Sequence, residues 1–202
     1  MAKKSTYNAK DIEVLEGLEP VRKRPGMYIG STNQDGLHHL VNEVLDNSID
    51  EVLAGHATDI SFQYKKDGSI KIKDNGRGIP IDFHPKYKNK RALEVVLTTL
   101  HAGGKFNSNA YKTSGGLHGV GISVVNALSS LLQVQVFKDG KVYRQDYSKG
   151  KVKTKIKIEK CSKKLKGTEI SFIPDESIFE ETKFVPKKLY NGTNYTLWCS
   201  VA

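Results

Sequence analysis

Residues 37–53, with the sequence LHHLVNEVLDNSIDEVL, decide how the rest of the chain is interpreted. At 100° per residue, their apolar side chains fall on one face of a helix. These apolar residues are Leu40, Val41, Val44, Leu45, Ile49 and Val52. The opposite face carries His39, Glu43, Asp46, Asn47, Asp50 and Glu51. This acidic face contains no lysine or arginine, although the chain has a formal net charge of +10. Because like charges one turn apart destabilise a helix by about 0.2–0.5 kcal/mol per pair, the face indicates either a bound cation or a solvent-exposed surface.

Outside this helix, predicted at 36–54 and ended by Gly55, the chain mixes helices and strands without strict alternation. Helices are predicted at 11–18, 91–100 and 122–131, and strands at 59–64, 69–73, 132–138, 141–147, 151–159 and 168–173. The pattern predicts an α+β fold, a two-layer sandwich with helices on one face of a mixed β-sheet. We expect an N-terminal arm at 1–14, one domain at 15–190, and a tail at 191–202 to which we assign no structure.

The composition excludes several classes of protein. Of the 202 residues, 38% are hydrophobic and 27% are charged, as in globular proteins. No apolar run approaches the roughly 20 residues that span a bilayer, and no apolar stretch follows the N-terminal lysines. Cys161 and Cys199 form neither a disulfide framework nor a metal-ligand pair. We therefore expect a cytoplasmic protein with no membrane partner.

Two glycine-rich segments are candidates for ligand binding. Asp74 begins the segment DNGRGIP at 74–80, directly after a predicted strand, and its carboxylate can accept a hydrogen bond from a ligand amino group. The alternative is an Asx turn that caps the strand. Residues 101–121 contain a second set of glycines ahead of a predicted helix, a junction that suits phosphate, and Lys105 can add a full positive charge. The alternative is a loop without a ligand, because the spacing matches neither a P-loop nor a dinucleotide-binding fingerprint.

A third segment, 149–166, is rich in lysine. Between 151 and 158, lysines alternate with apolar residues, as in a half-exposed strand. We interpret the segment as the solvated face of a strand, and contact with DNA is the alternative.

Taken together, several segments resemble the motifs of the GHKL ATPases, which use the Bergerat ATP-binding fold. They are EVLDNSID at 43–50, DNGRGIP at 74–80, GGLHGVG at 115–121 and Gly167-Thr168. Further segments resemble the branch formed by the B subunits of bacterial type IIA topoisomerases. They are LEGLEPVRKRPGMYIG at 15–30, LHHL at 37–40, LHAGGKF at 100–106 and SVVNALS at 123–129. Residues 83–100 and 184–190 are more similar to the topoisomerase IV type than to the gyrase type.

The resemblance implies roles for individual residues. Glu43 would be the general base for the attacking water, assisted by His39, and Asn47 would be the protein ligand of Mg²⁺. Asp74 would accept the adenine amino group. Other nucleotide contacts would be made by Gly78, Ile79, Lys105, Tyr111, Leu117, His118, Gly119, Val120, Gly121 and Thr168.

The resemblance also implies ATP and Mg²⁺ as cofactors. It implies partners as well: DNA, a topoisomerase A-type subunit, and a second copy of the protein on ATP binding, with Tyr7 and Ile12 as dimer contacts. In the family a second domain supplies a lysine to the γ-phosphate. Because this sequence ends at Ala202, we expect these residues alone to bind ATP, to hydrolyse it slowly and to stay mostly monomeric.

The sequence departs from the family pattern in two places. Lys138 replaces an arginine of many relatives, which would weaken the binding of ligands that use the planar guanidinium. The family pattern also stops after residue 190.

Two other functions stay open on the residues alone. One is a DNA-binding module without catalysis, which would not need an acidic helix face beside glycine loops. The other is a sibling ATPase, either a kinase or a chaperone. A kinase would need a phospho-acceptor histidine on a separate helical region, for which the 202 residues leave no room.

Overall fold

A computed structural model describes Asn8, residues 11–103, residues 120–186, Leu189 and the strand at 198–201. The helices are α1 (Glu19–Lys23), α2 (Gly26–Ile29), α3 (Gln34–Leu53), α4 (Ala92–Thr98) and α5 (Gly121–Ala127). The strands are β1 (Ile60–Tyr64), β2 (Ile70–Asp74), β3 (Phe83–His84), β4 (Tyr87–Arg91), β5 (Ser129–Lys138), β6 (Lys141–Ser148), β7 (Lys151–Val152), β8 (Lys157–Lys160), β9 (Gly167–Pro174) and β10 (Trp198–Val201).

Eight of these strands form one mixed sheet. Its order is β10-β1-β2-β9-β5-β6-β7, and β8 also pairs with β6. Only the β1–β10 pair is parallel among the described strand pairs of this sheet. β3 and β4 form a separate hairpin that the sequence pattern does not predict. The predicted α+β class with a mixed sheet is confirmed.

The hydrophobic core lies between the helices and one face of the sheet. Ile70, Ile72 and Asp74 alternate along β2 as buried residues, whereas Lys71 and Lys73 point to the other, polar face. Buried apolar residues of α3 and α5 join the same core. Core members include Leu37, Leu40 and Val44 of α3, Val124 and Val125 of α5, Val134 and Val136 of β5, and Phe172 of β9.

Helix α3 is the longest helix among the described residues, and its bounds agree with the prediction to within two residues. The Asn33 side chain caps its N-terminus by accepting a hydrogen bond from the Asp35 N–H at 2.9 Å. A Cβ at Gly36 would collide with the Ser31 carbonyl oxygen, so the first turn requires glycine. After the helix, Gly55 adopts φ +73°, which ends it as predicted.

Three predicted elements differ from the structure. The helix predicted at 11–18 is wrong: α1 begins at Glu19, where Pro20 fits the first turn because no helical N–H is needed there. The helix predicted at 122–131 ends at Ala127, because residues from Ser129 onward pair with β9. The single strand predicted at 151–159 is two strands, β7 and β8.

The break between β7 and β8 has a local cause in the partner strand. The N–H groups of Lys153 and Thr154 both donate to the Asp146 carbonyl oxygen, at 2.9 and 3.3 Å. The Thr154 hydroxyl in turn accepts from the Asp146 N–H at 3.0 Å. These bonds turn the chain away from a regular ladder.

In the tail, residues 198–201 form β10 at the opposite end of the sheet. No helix within the described residues is long and apolar enough to cross a membrane.

Candidate functional site

The polar face of α3 does not lie in solvent. Between residues 36 and 52 of this helix, Asn42 alone is exposed. His39 and Glu43 form an ion pair one turn apart, with 3.1 Å between Nε2 and Oε1. The pKa of His39 is raised, mainly by its hydrogen bond to Glu43. Partial burial of His39 acts in the opposite direction, whereas the negative charges of Glu43 and Asp46 raise the pKa further. The interpretation of an exposed acidic face is therefore wrong, because the face is half-buried. This face, the loop at 74–80 and the start of α5, which contact one another, are together called the cleft below.

Glu43 lies against the start of α5. A Cβ at Gly121 would collide with Oε2 of Glu43, so only glycine lets this carboxylate approach the helix. The Glu43 side chain keeps a quarter of its surface exposed. A charged group that is oriented by His39 and still reachable by water has the geometry of a general base.

Asp74 occupies the end of β2 and is 6% exposed. Its Oδ1 accepts from the N–H of Gly76 at 2.8 Å and from that of Thr168 at 3.4 Å. Its Oδ2 accepts from the Ser48 hydroxyl at 3.4 Å. Burial is the main cause that raises the pKa of Asp74, and the backbone hydrogen bonds from Gly76 and Thr168 oppose it. The predicted Asx turn exists, but the carboxylate is also held between α3 and β9, which a turn alone does not require.

Glycines make this arrangement possible. Gly78 adopts φ +77°, and a Cβ there would lie 2.9 Å from Cγ1 of Val136. Gly167 adopts φ +105°, and a Cβ there would collide with the Asp74 carbonyl oxygen. The loop is further tied to β9, because the Ile79 N–H donates to Oγ1 of Thr168 at 3.1 Å. The two glycines therefore leave room for close packing of backbone around the Asp74 carboxylate.

Compensation for the acidic face comes partly from outside the helix. The Arg77 guanidinium binds both carboxylate oxygens of Glu51, at 3.1 and 2.7 Å, and the Arg77 N–H adds a third bond at 3.0 Å. This pair anchors the loop to α3. A bound cation is thus not needed to explain Glu51, which corrects the expectation drawn from the helix alone.

Asn47 is oriented by its own helix. Its Nδ2 donates to the Glu43 carbonyl oxygen at 2.8 Å, so Oδ1 is the atom that would face a cation. Among the described ranges, no group of three or more histidine, cysteine or acidic residues could hold a metal ion. A cation here would therefore take few ligands from the described residues, as Mg²⁺ with bound phosphate does.

The family model for the histidine kinase-, DNA gyrase B- and HSP90-like ATPases matches residues 32–178, which include α3, the loop after β2 and β9. The chain belongs to this ATPase family. The family model thus spans Glu43, Asp74 and Thr168, the residues from which the cleft is built.

Relatives within the family are topoisomerase subunits. The chain is 63% identical over 187 residues to the B subunit of DNA topoisomerase 4 from Rickettsia bellii. It is 58% identical over 180 residues to the B subunit of DNA gyrase from Thermotoga maritima. These matches cover 92% and 89% of the chain, but the chain spans only 28% of the length of either relative. The 43K ATPase domain of Thermus thermophilus gyrase B, solved with an aminocoumarin, superposes with a TM-score of 0.75 at 43% identity and covers 86% of this chain and 43% of that one.

The described residues include most of the predicted ATPase site. Glu43, His39, Asn47, Asp74 and Thr168 lie on or beside the cleft. Five further predicted residues are also described: Gly78 and Ile79 in the loop, Val120 and Gly121 at the start of α5, and Ile12 as an exposed residue. Those outside the described residues are Tyr7, Lys105, Tyr111, Leu117, His118 and Gly119.

Sequence reasoning assigned no role to Ser48 or to the Arg77–Glu51 pair. Ser48 is a small polar residue on the α3 turn that follows Val44, and this position is the only sequence signal for its contact with Asp74. The pairing of Arg77 with Glu51 spans 26 residues and has no local signature. Lys138 lines a separate cavity of about 700 Å³, together with Arg77, Lys163 and Lys166.

Proposed function

We propose that residues 15–190 form the ATP-binding and ATP-hydrolysing domain of a type IIA DNA topoisomerase, the part carried by its B-type chain, acting in the cytoplasm. The buried carboxylate of Asp74 carries this proposal. A carboxylate that is 6% exposed, with glycines packed beside it, suits a ligand that offers an amino group to it. Adenine has such a group. Thr168 and the Ile79 N–H complete a polar rim around that position.

Mg²⁺ would be held by Oδ1 of Asn47 together with phosphate oxygens, and it would stabilise the charge that develops on the phosphates. The donor set fits this metal, because one neutral oxygen from the protein leaves positions for phosphate and water. Lys105 and residues 117–121 would hold the phosphates.

Glu43 would accept the proton of the attacking water. His39 orients the Glu43 carboxylate through Oε1, which leaves Oε2 directed toward Gly121 at the start of α5. The same hydrogen bond is the main cause that raises the pKa of His39. A general base of this kind increases the rate of hydrolysis by a factor of roughly 10²–10⁴.

For the whole protein we propose strand passage by a dimeric DNA clamp, with a topoisomerase A-type subunit, DNA and a second copy of the protein as partners. Tyr7 and Ile12 would contact the second copy; Ile12 is 61% exposed. The topoisomerase IV type is favoured over the gyrase type, because the identities to the two relatives are 63% and 58%.

A comparison of nucleotides tests the proposal. The chain should bind ATP in the presence of Mg²⁺, whereas GTP should bind at least tenfold more weakly, since guanine presents a carbonyl oxygen to the Asp74 carboxylate. Isothermal titration of both nucleotides, with and without Mg²⁺, measures this. Equal affinity for ATP and GTP, or no binding of either, would refute the assignment of the cleft.

A further inference from the structure

The positive charge of the chain is concentrated at one edge of the sheet. Residues 138–166, here called the basic edge, contain twelve lysines and arginines against three acidic residues. This stretch therefore holds nine of the ten net positive charges, and the other 173 residues are almost neutral. It includes β6, β7 and β8. The net charge of +10 is a property of this edge, not of the surface as a whole.

The strand register places like charges opposite each other twice. In the β6–β8 pair, Lys141 is the partner of Lys160, and Arg144 is the partner of Lys157. Because side chains alternate between faces along a strand, the two pairs lie on opposite faces of the sheet edge. Like charges directly opposite in a sheet are unfavourable. Glu159 offsets one pair through a contact with Arg144 at 3.4 Å.

Five lysines of the edge, on β7, on β8 and in the bend between them, are exposed. Among the described residues, none forms an ion pair with any of the lysines of β7, of β8 or of the bend between them. They are Lys151, Lys153, Lys155, Lys157 and Lys160, and all five are exposed. The edge therefore presents exposed positive charges for which the described part of the chain supplies no ion-pair partner.

Lysines on an edge strand also prevent pairing with other chains. That role needs only a few charges, and here the edge is already divided into strands of two and four residues. Five exposed lysines without an ion pair to any described residue, two of which also face a like charge on β6, exceed what protection of so short an edge requires. A ligand that brings negative charge explains the excess.

We propose that the basic edge binds duplex DNA through its phosphates, without reading the base sequence. Duplex DNA carries about one negative charge per 1.7 Å of its axis, a density that suits a dense set of exposed lysines. Flexible ammonium groups contact phosphates without fixing a base. Tyr143 and Tyr147 are the only aromatic residues of the edge, and both are buried. Since single strands are held by stacking on exposed aromatic rings, the edge suits a duplex. The choice of DNA among polyanions rests on the proposed topoisomerase function.

The test measures binding of the chain to a fluorescent duplex of about 30 base pairs by anisotropy, between 50 and 200 mM KCl and without nucleotide. The variant K155Q/K157Q/K160Q removes three charges from the edge. The control K66Q/K88Q/K183Q removes three charges from exposed lysines elsewhere, so both variants have the same net charge. The logarithm of the binding constant falls with the logarithm of the salt concentration. We expect the edge variant to reduce the magnitude of this negative slope by about 3, close to one per lysine. Its affinity at 100 mM should fall at least tenfold, and the control should stay within twofold of the parent.

Three results would overturn the proposal. The first is an equal loss in both variants, which would mean that only net charge matters. The second is binding to phosphatidylglycerol vesicles, but not to DNA, that depends on the same lysines. The third is aggregation of the edge variant, seen by light scattering, with unchanged DNA affinity, as expected for edge protection alone. Thermal melting checks that each variant is folded. The DNA-binding measurement contains no nucleotide, so a negative result in it says nothing about the assignment of the Asp74 cleft. Conversely, a failure to bind ATP in the calorimetric test does not affect the DNA-binding measurement.

Discussion

The cleft around α3 and the basic edge both collect charges of one sign, but the fold treats them in opposite ways. In the cleft, His39 contacts Glu43 and Arg77 binds Glu51, so the carboxylates are held in place. At the edge, Lys141 and Lys160 face each other across a strand pair. Charges that are fixed before a ligand arrives can discriminate between ligands and support chemistry. Exposed and unpaired charges give attraction without geometric selection.

If this contrast is correct, the largest effect belongs to Glu43. Replacing Glu43 by Gln should lower ATP hydrolysis about 10²–10⁴-fold, since the general base is lost, while affinity for ATP changes less than about tenfold. Single-turnover hydrolysis and calorimetric titration measure the two effects. The control Asn42→Ala changes the exposed neighbour on the same helix and should leave the rate unchanged. A Glu43→Gln variant that keeps its hydrolysis rate would show that the cleft does not position a base.

The next effect concerns Asp74. The Asp74→Asn variant keeps the size of the side chain but replaces a charged acceptor, so ATP affinity should fall about 10–150-fold, equivalent to roughly 1.5–3 kcal/mol. Asp67 provides a matched control, because its Oδ1 also accepts from the N–H two residues later, at 2.9 Å, in an exposed turn. Asp67→Asn should leave affinity unchanged. Equal affinities of the two variants would mean that Asp74 is only a turn residue.

Asp175 joins the basic edge to the core and predicts a dependence of stability on pH. Burial alone would raise the pKa of this carboxyl, but hydrogen bonds from Arg22, Ser177 and Lys149 outweigh it and lower the pKa to about 2. The unfolded chain has the ordinary pKa of 3.8, so this stabilisation is complete above about pH 5 and is lost as the pH falls toward 2. At pH 7 the Asp175→Asn variant should lose about 1–3 kcal/mol of unfolding free energy.

Urea unfolding at pH 7, 4 and 2.5 measures this difference, which should shrink as the pH falls. Asp82→Asn, at an exposed aspartate, is the control and should show no such dependence. A constant difference across the three pH values would contradict the pKa assignment.

The smallest effect has the opposite sign. Lys160→Glu places an acidic residue opposite Lys141 and should stabilise the fold by about 0.2–1 kcal/mol, because a like-charge pair becomes an opposite-charge pair. Lys88→Glu, on a hairpin position with no described cross-strand partner, is the control and should change stability less. Thermal melting at low salt measures both. Destabilisation by Lys160→Glu would show that repulsion between Lys141 and Lys160 does not lower the stability of the fold.

Several features could be predicted from the sequence because they depend on neighbours along the chain. The apolar period of residues 37–53 determines α3, since a helix with this pattern has one face to bury. The end of α3 follows from Gly55, which adopts φ +73°. The resemblance of the motifs to GHKL ATPases singled out Glu43, Asn47 and Asp74 before any of their contacts were known. Their roles stay predictions, as do the nucleotide contacts of Lys105 and Tyr111.

Other features were decided only by contacts between distant segments. The break at 153–156 depends on Asp146 in the neighbouring strand, and the partner of Glu51 lies 26 residues away in a loop. The burial of Asp74 requires β9, 94 residues further along, to donate the Thr168 N–H. The strand register with β6 decided whether the lysines at 151–160 lie opposite acidic residues or opposite other basic residues. The sequence determined which charges exist and which local elements form. The tertiary structure decided which charges meet, because strand register and loop packing bring together residues that no local pattern connects.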